Sequence, residues 1–337
     1  MYRTFLFSML GVATFFSACS TQSFVEVKAK AQTDFVAKEG DVADDPAIWV
    51  NKKERSKSLI FGTNKKGGGL EVYDLNGKRV QAYKDGKFNN VDLRYGFLHN
   101  AKEIDIVVAS NRVDDTMAVY GIDQDTAKVY PLSLNTLHTL EKSYGLCMYQ
   151  KSDKFFVITN SKTGAIVMHQ LESQNGRLTA TLVGKAKIPS QTEGCVVDDT
   201  IQTLYIGEED FGIWKFDLKR GLRDNGVVFA SIEENDALKA DIEGLALYNE
   251  YLLASSQGNN SYAVFDKKST KYLGSFMITD GEFDGVNETD GIEATSASLG
   301  EYTQGVFIAQ DGSTAKTQNF KILDFKDILD RLKRSNR

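Results

Sequence analysis

The chain has 337 residues, of which 42% are hydrophobic and 26% are charged, and its formal net charge is −6. This balance is typical of a soluble globular protein and excludes disordered, collagenous and multi-span membrane chains. With only 3 cysteines and 3 histidines, a disulfide scaffold is excluded and a histidine-rich metal site is not expected. The acidic balance also argues against nucleic acid as a partner, which would require a basic face.

The N-terminus has the pattern of a secretory signal, because Arg3 precedes an apolar run over residues 5–16 that is too short to cross a bilayer. Cys19 directly follows Ser17-Ala18, as in the bacterial lipobox, although Phe16 stands where that motif usually has leucine. We predict a signal peptide over 1–18, lipidation of Cys19 and a polar tether over 19–35. The protein is then an exported lipoprotein, periplasmic or at the cell surface, which meets the membrane only through its lipid. The alternative is a secreted protein with an incidental cysteine.

The remainder of the chain, over 36–337, repeats one unit six times. An apolar–aromatic–polar triplet recurs about every fifty residues, at 72–74, 119–121, 168–170, 215–217, 264–266 and more loosely 319–321. Units of this size have room for four short strands each and are typical of a β-propeller. We predict an all-β, six-bladed β-propeller in a single closed domain, and we expect a monomer. A short C-terminal helix is indicated by the spacing of Phe325, Ile328, Leu329 and Leu332.

A second position of the repeat carries acidic residues at the start of each segment that we assign to the innermost strand of a blade. Its members are Asp45, Asp92, Tyr144, Glu193, Glu243 and Asp290, and Asp44, Asp241 and Asp280 lie near them in the sequence. Inner strands converge on the propeller axis, so the repeat predicts five carboxylates and one tyrosine at one mouth. Crowded carboxylates repel unless they are protonated or bind cations, and calcium prefers oxygen ligands. The alternative is that these acids cap strand starts and face solvent.

A third position, about twenty residues after each inner strand begins, differs around the repeat. The first three units carry cations there, namely Lys65, Lys66, Arg112 and Lys162. The next three carry acids or amides, among them Glu208, Glu209, Gln257 and Asp311. Cations beside a metal cluster form a receptor for an anion that the metals share, and phosphate is the natural candidate.

Ten motifs, in order over about 36–330, resemble those of the β-propeller phytases. They are DDPAIW (44–49), TNKK (63–66), NNVDLRYGF (89–97), SNR (110–112), QTEG (191–194), EEDFGIWKF (208–216), DIEGL (241–245), LLASSQGNNSYAVF (252–265), TDGI (289–292) and AQDG (309–312). The resemblance implies a calcium-dependent phosphomonoesterase that hydrolyses phytate, inositol hexakisphosphate, to lower inositol phosphates and phosphate. The family often has Lys-Glu where this chain has Lys162-Thr163, so one acid beside the phosphate site is missing.

The resemblance also implies roles for individual residues. The catalytic residues are Lys66, Arg112, Tyr144, Lys162 and Glu193, and the phosphate contacts are Lys65, Lys66, Arg112, Lys162 and Tyr144. The implied calcium ligands are Asp44, Asp45, Glu193, Glu209, Asp241, Glu243 and Asp290, and the repeat adds Asp92, Glu208, Asp280 and Asp311. We expect several calcium ions and a metal-activated water that attacks phosphorus without a covalent intermediate. The cations then stabilise charge on the transferred phosphoryl group.

Two alternative functions remain open. Another calcium-dependent propeller hydrolase, such as a lactonase, needs the metal but has no use for four gathered cations. A non-catalytic binding propeller would use calcium only for stability.

Cys147 and Cys195 lie in inner-strand segments of consecutive units, offset by one residue. Because neighbours along a strand point to opposite faces, we expect two free buried thiols, with a disulfide as the alternative.

Overall fold

A computed structural model describes residues 24–37, 39–312 and 317–335. These residues form six β-sheets and one α-helix. The predicted signal peptide and Cys19 lie outside the described residues. Among the residues described, no helix is both long and apolar enough to cross a membrane.

The described chain opens with two short strands, β1 (Val25–Val27) and β2 (Ala31–Gln32), and then forms the first three blades. Blade 1 contains β3 (Ala43–Trp49), β4 (Leu59–Asn64), β5 (Gly69–Tyr73) and β6 (Arg79–Tyr83). Blade 2 contains β7 (Phe88–His99), β8 (Lys102–Asn111), β9 (Thr116–Ile122) and β10 (Val129–His138). Blade 3 contains β11 (Ser143–Lys151), β12 (Lys154–Ser161), β13 (Ala165–Gln174) and β14 (Arg177–Lys187).

The second half of the chain forms three more blades and the helix. Blade 4 contains β15 (Thr192–Asp198), β16 (Thr203–Glu208), β17 (Gly212–Asp217) and β18 (Val227–Ser231). Blade 5 contains β19 (Ile242–Tyr248), β20 (Tyr251–Ser256), β21 (Ser261–Asp266) and β22 (Tyr272–Ile278). Blade 6 contains β23 (Ile292–Thr295), β24 (Val306–Asp311) and β25 (Asn319–Asp324), and α1 (Phe325–Ser335) follows. Short 3₁₀ turns occupy Arg55–Lys57 and Gln257–Asn259.

The six blades close into a ring. Within each blade, strands that are consecutive in the chain pair antiparallel. The first strand of each blade packs against the first strand of the next, and β23 of blade 6 packs against β3 of blade 1. The all-β, six-bladed propeller predicted from the repeat is confirmed.

The two ends of the described chain meet in the last two blades. β2 pairs antiparallel with β25 and so supplies the outermost strand of blade 6. β1 pairs parallel with β22 at the outer edge of blade 5. Both strands cover edges that would otherwise present unpaired backbone groups. Residues 25–32 therefore belong to the propeller, inside the range over which the sequence predicts a tether.

The core lies between the blades. Six clusters of buried apolar side chains are each shared by two neighbouring blades, from blades 1 and 2 around to blades 6 and 1. Helix α1 buries Phe325, Ile328 and Leu332 against blades 5 and 6. The ring of Phe325 stacks on Tyr248. The C-terminal helix predicted from the apolar spacing is confirmed.

Cys147 and Cys195 form a disulfide, with their Cα atoms 5.6 Å apart, so the expectation of two free thiols is wrong. The alternation of side chains along a strand relates residues of one sheet only. The two cysteines lie in β11 and β15, which are inner strands of different sheets. Side chains of two separate sheets can meet across the space between blades whatever their offset in the sequence.

Candidate functional site

The inner strands of blades 1 to 5 share one irregularity near their beginning. Each has a register shift after its first pair with the second strand, for example between the pairs Thr192–Glu208 and Cys195–Ile206 in blade 4. Such a bulge re-aims the side chain at that point. In blade 6, Asp290 lies two residues before the first pair of β23, as Glu243 lies two residues before Leu245. We call the six equivalent residues the axial ring: Asp44, Asn89, Tyr144, Glu193, Glu243 and Asp290.

The axial ring corrects the sequence prediction in two blades. Blade 1 contributes Asp44 where Asp45 was predicted, and blade 2 contributes Asn89 where Asp92 was predicted. The ring therefore has four carboxylates, not five, together with Tyr144 and an amide. The apolar residues that follow keep the repeat spacing whether or not a bulge precedes them, so they do not show where the bulge lies.

The two displaced aspartates, Asp45 and Asp92, both line a cavity of about 320 Å³ that is formed mainly by inner-strand residues of all six blades. Asp45 accepts a hydrogen bond from the Val91 N–H at 3.0 Å. Asp92 accepts hydrogen bonds from the Arg94 guanidinium at 3.1 Å and from the Met148 N–H at 2.7 Å. Asp92 is thus one of the two counterions of Arg94, together with Asp199 at 2.8 Å.

The carboxylates of the axial ring are crowded on the side of blades 4 and 5. One oxygen from each of Glu193, Glu209 and Glu243 lies within 4.8 Å of the others. Glu209 comes from the turn after β16, where the Gln191 amide donates to both of its oxygens at 2.7 Å. Asp44 Oδ1 and Glu243 Oε2 are buried and have no hydrogen-bond partner. Buried carboxylate oxygens without donors are the ligands that a hard cation requires.

The pKa values of the ring carboxylates also indicate a cation site. Burial raises the pKa of Glu193, and the charge of Asp290 adds to the effect. Burial likewise raises the pKa of Glu243, and there the charge of Glu193 contributes most after burial. For Asp290, burial raises the pKa to about 7 although Lys65 opposes the shift. Because these groups resist ionising together without a cation, the cluster fits a divalent metal ion.

Lys65 and Lys66 have different surroundings. The Lys65 ammonium is largely buried and lies 2.9 Å from Asp41, 3.2 Å from Asp44 and 2.9 Å from Asp290. Burial lowers the pKa of Lys65, but the charges of Asp44 and Asp290 outweigh it and the pKa stands above its usual value. The side chain of Lys66 is 56% exposed, with Nζ 3.5 Å from Asp41. Lys65 neutralises the ring carboxylates Asp44 and Asp290, whereas Lys66 is largely exposed to solvent.

Two further cations lie over one aromatic ring. Lys162 Nζ is 4.1 Å and Arg112 Cζ is 5.1 Å from the centroid of Tyr144. Burial raises the pKa of Tyr144, with the charge of Glu193 as the next cause, so its hydroxyl stays protonated. Arg112 also donates to Asn89 Oδ1 at 2.9 Å. The structure thus brings two predicted phosphate contacts next to the carboxylates.

Comparison with known proteins decides the family. The profile of the Phytase family matches residues 4–336. A 3-phytase from Bacillus subtilis (strain 168) is 43% identical over 332 aligned positions, which cover 91% of this chain and 85% of that protein. The chain belongs to the phytase family. The predicted family and the prediction that the protein is an enzyme of the phytase type are confirmed.

The remaining predicted metal ligands of this phytase have partners of other kinds. Glu208 accepts hydrogen bonds from Ser190 and from the Trp214 indole. Asp311 is buried 3.1 Å from the Lys321 ammonium, and Asp280 accepts from Gly285 within its own loop. The assignment of these three residues as calcium ligands stays a prediction. Asp241 stays with the site, because its charge contributes to the raised pKa of Glu209.

Sequence reasoning assigned no contact with the carboxylates to Asn89 or to the two glutamines beside them. Gln191 binds Glu209, and the Gln257 amide donates to Asp290 at 2.7 Å. A signal for the ring position exists in the sequence, since Glu193, Glu243 and Asp290 are each followed by glycine. A Cβ on Gly194 would lie 1.8 Å from the carbonyl oxygen of Glu243 in the next blade, so only glycine fits there. Thr163, which stands where the family often has an acid, contacts the Ser161 hydroxyl at 2.9 Å.

Proposed function

We propose that this protein is a calcium-dependent phosphomonoesterase that converts phytate to lower inositol phosphates and phosphate. The observation that carries the proposal is that a pair of cations lies beside a cluster of buried carboxylates and is linked to it by one hydrogen-bonded amide. Arg112 and Lys162 lie over Tyr144, and Arg112 is joined to Glu193 through Asn89. A receptor of this kind suits an anion that binds a metal and the protein at once.

The residues that would hold calcium are Asp44, Glu193, Glu209, Glu243 and Asp290, with Asp241 beside them. Their donor atoms are all carboxylate oxygens, which suit calcium better than zinc. The unpartnered oxygens of Asp44 and Glu243 support this assignment. Calcium bound there supplies Lewis acidity toward phosphate oxygens and makes water more acidic.

The chain's own residues bind and orient the substrate. Arg112, Lys162 and Lys66 donate to phosphate oxygens and stabilise the charge that they carry in the transition state. Water adds to phosphorus in line, the phosphorus–oxygen ester bond breaks, and the inositol oxygen leaves as an alkoxide that takes a proton from solvent water. We assign Glu193, which lies between the cations and the carboxylates, as the acceptor of the proton from water. No serine, cysteine or histidine nucleophile is needed.

Phosphate release from calcium phytate tests the proposal. We expect the wild type to release phosphate, the Arg112→Ala variant to lose most of this activity, and a chelator to abolish it. Arg223→Ala, which removes an exposed arginine in the connection after β17, should behave as wild type. Lactone hydrolysis without phosphate release would favour the lactonase alternative. Neither reaction, together with calcium-dependent stability, would favour a binding propeller.

We also propose that the protein is exported, is lipidated at Cys19 and acts as a monomer. The support is the N-terminal sequence pattern for the first two statements. Export of a Cys19→Ser variant should yield protein in the soluble fraction, whereas the wild type should partition with membranes. Light scattering of the protein without its signal peptide tests the monomer.

A further inference from the structure

Asn89 is the axial-ring residue of blade 2 and links Arg112, one of the cations, to Glu193, one of the carboxylates. Its side chain is fully buried. Its Oδ1 accepts a hydrogen bond from Arg112 Nη1 at 2.9 Å, and its Nδ2 donates to Glu193 Oε1 and, at 2.9 Å, to Asn90 Oδ1. Asn89 belongs to blade 2 and Glu193 to blade 4, so the hydrogen bond joins two blades that are not neighbours in the ring of blades.

The orientation of this amide follows from its partners. A guanidinium can only donate hydrogen bonds, so the oxygen of Asn89 must face Arg112. The amide nitrogen then faces the Glu193 carboxylate, to which it can only donate. The backbone of Asn89 is also held, because its carbonyl accepts from the Thr63 hydroxyl at 2.5 Å. The side chain has one position in which both contacts are made.

An amide suits this position because it adds no charge. Aspartate would keep the acceptor for Arg112 but would set another buried anion against Glu193, whose pKa burial already raises. An apolar side chain of the same size would leave both Arg112 and Glu193 without this partner. Asparagine alone among side chains of this length offers an acceptor to the cation and a donor to the carboxylate.

We propose that Asn89 is a positioning residue for phosphate-ester hydrolysis. It holds the Arg112 guanidinium and the Glu193 carboxylate at a set separation, so that a phosphate bound by Arg112 is presented to the group that takes the proton from water. Asn89 touches neither the phosphate nor the water. This inference rests on the proposed function and deepens it.

A double-mutant cycle on the calcium-loaded protein tests the proposal, with wild type, Asn89→Leu, Arg112→Ala and the double variant. Hydrogen bonds to charged groups contribute enough that Asn89→Leu should lower kcat/KM for phytate roughly ten- to a hundredfold. Because Asn89 acts partly through Arg112, the loss caused by Asn89→Leu should be smaller in the Arg112→Ala background than in the wild-type background. Losses that multiply, or wild-type kinetics in Asn89→Leu, would overturn the proposal.

Equilibrium binding of inositol hexasulfate, a polyanion without a phosphate ester, gives the same cycle a readout other than turnover. Asn89→Leu should weaken binding, and the loss should vanish in the Arg112→Ala background. Asn51→Leu is the matched control, because Asn51 is also buried and hydrogen-bonded but lies at the end of β3 away from the ring. It should lower stability and leave both kcat/KM and hexasulfate binding unchanged. Equal weakening of binding by Asn51→Leu would contradict a positioning role.

Asn89→Asp keeps the shape of the side chain and protects the test against misfolding of Asn89→Leu. We expect a loss of at least about tenfold in kcat/KM, measured below the melting temperature of the calcium-loaded variant. Wild-type turnover by this variant would overturn the proposal. If the wild type itself releases no phosphate from phytate, the proposed function fails, and the hexasulfate cycle still decides whether Asn89 acts through Arg112.

Discussion

The Lys65 ammonium lies 2.9 Å from Asp290 Oδ2 and neutralises a carboxylate that belongs to the axial ring. The same ammonium reaches Asp41 and Asp44, so one lysine neutralises the side of the ring that faces blades 6 and 1. No such lysine contacts Glu193, Glu209 or Glu243 among the ion pairs of the described residues. In the protein without bound cations, the two sides of the ring therefore differ in how they are neutralised.

Lys65→Met should destabilise the cation-free protein. Removing one partner of a buried ion pair leaves an uncompensated charge and costs about 3 kcal/mol or more. Lys66→Met is the matched control, because its ammonium is more exposed and lies 3.5 Å from Asp41; it should cost less than about 1 kcal/mol. Urea unfolding in cation-free buffer measures both values. Equal losses would show that Lys65 does not neutralise the ring.

Stability of the cation-free protein should fall as the pH rises from 5 to 8. Burial raises the pKa of Asp290 to about 7 and that of Glu293 to about 8. The folded state therefore binds more protons than the unfolded state in this range, and the stabilisation is lost as each group ionises. Each group lowers the free energy of unfolding by about 1.4 kcal/mol per pH unit between its pKa in the unfolded chain and its pKa in the folded protein. Urea unfolding at several pH values measures the slope, and a free energy of unfolding that rises with pH would contradict it.

Loss of the Cys147–Cys195 disulfide should lower the free energy of unfolding by about 3–4 kcal/mol. The bond joins β11 of blade 3 to β15 of the neighbouring blade 4. It closes a loop with a sequence separation of 48 residues, and this loop restricts the unfolded chain. The Cys147→Ala/Cys195→Ala variant and reduced wild type should unfold alike in urea. The same reductant added to the double variant is the control and should change nothing. An unaltered midpoint in the reduced wild type would argue against the bond.

Tyr144 should act mainly through the face of its ring. Tyr144→Phe keeps the face over which Lys162 and Arg112 lie, whereas Tyr144→Leu removes it. Since two cation–π contacts contribute about 1–2 kcal/mol together, the leucine variant should raise KM for phytate roughly tenfold. The phenylalanine variant should stay close to wild type in steady-state kinetics. Equal damage by both substitutions would assign the essential role to the hydroxyl.

The number of blades could be read from the sequence because each blade repeats one aromatic strand at a nearly constant spacing. The side chains that line the axis depend on finer detail. A bulge shifts the register at the ring position, and a shift of one residue exchanges Asp44 for Asp45. In blade 2 the difference is three residues, from Asp92 to Asn89, because a nearby acid matched the pattern better than the amide.

Contacts between blades could not be read from the repeat at all. The repeat aligns each blade with the next but says nothing about which side chains meet between separate sheets. The pairing of Cys147 with Cys195 and the contact of Asn89 with Glu193 both arise there. The glycine after Glu193 was the available signal, since it marks where the backbone of the next blade approaches.

The most direct test is phosphate release from phytate measured across a calcium titration. The wild type should release no phosphate in cation-free buffer and should gain activity as calcium is added. Glu243→Gln, which alters a ring carboxylate with one unpartnered oxygen, should require more calcium for the same rate, while Glu233→Gln on an exposed segment should match the wild type. Full phosphate release by the wild type in cation-free buffer would contradict the proposal that the reaction requires calcium.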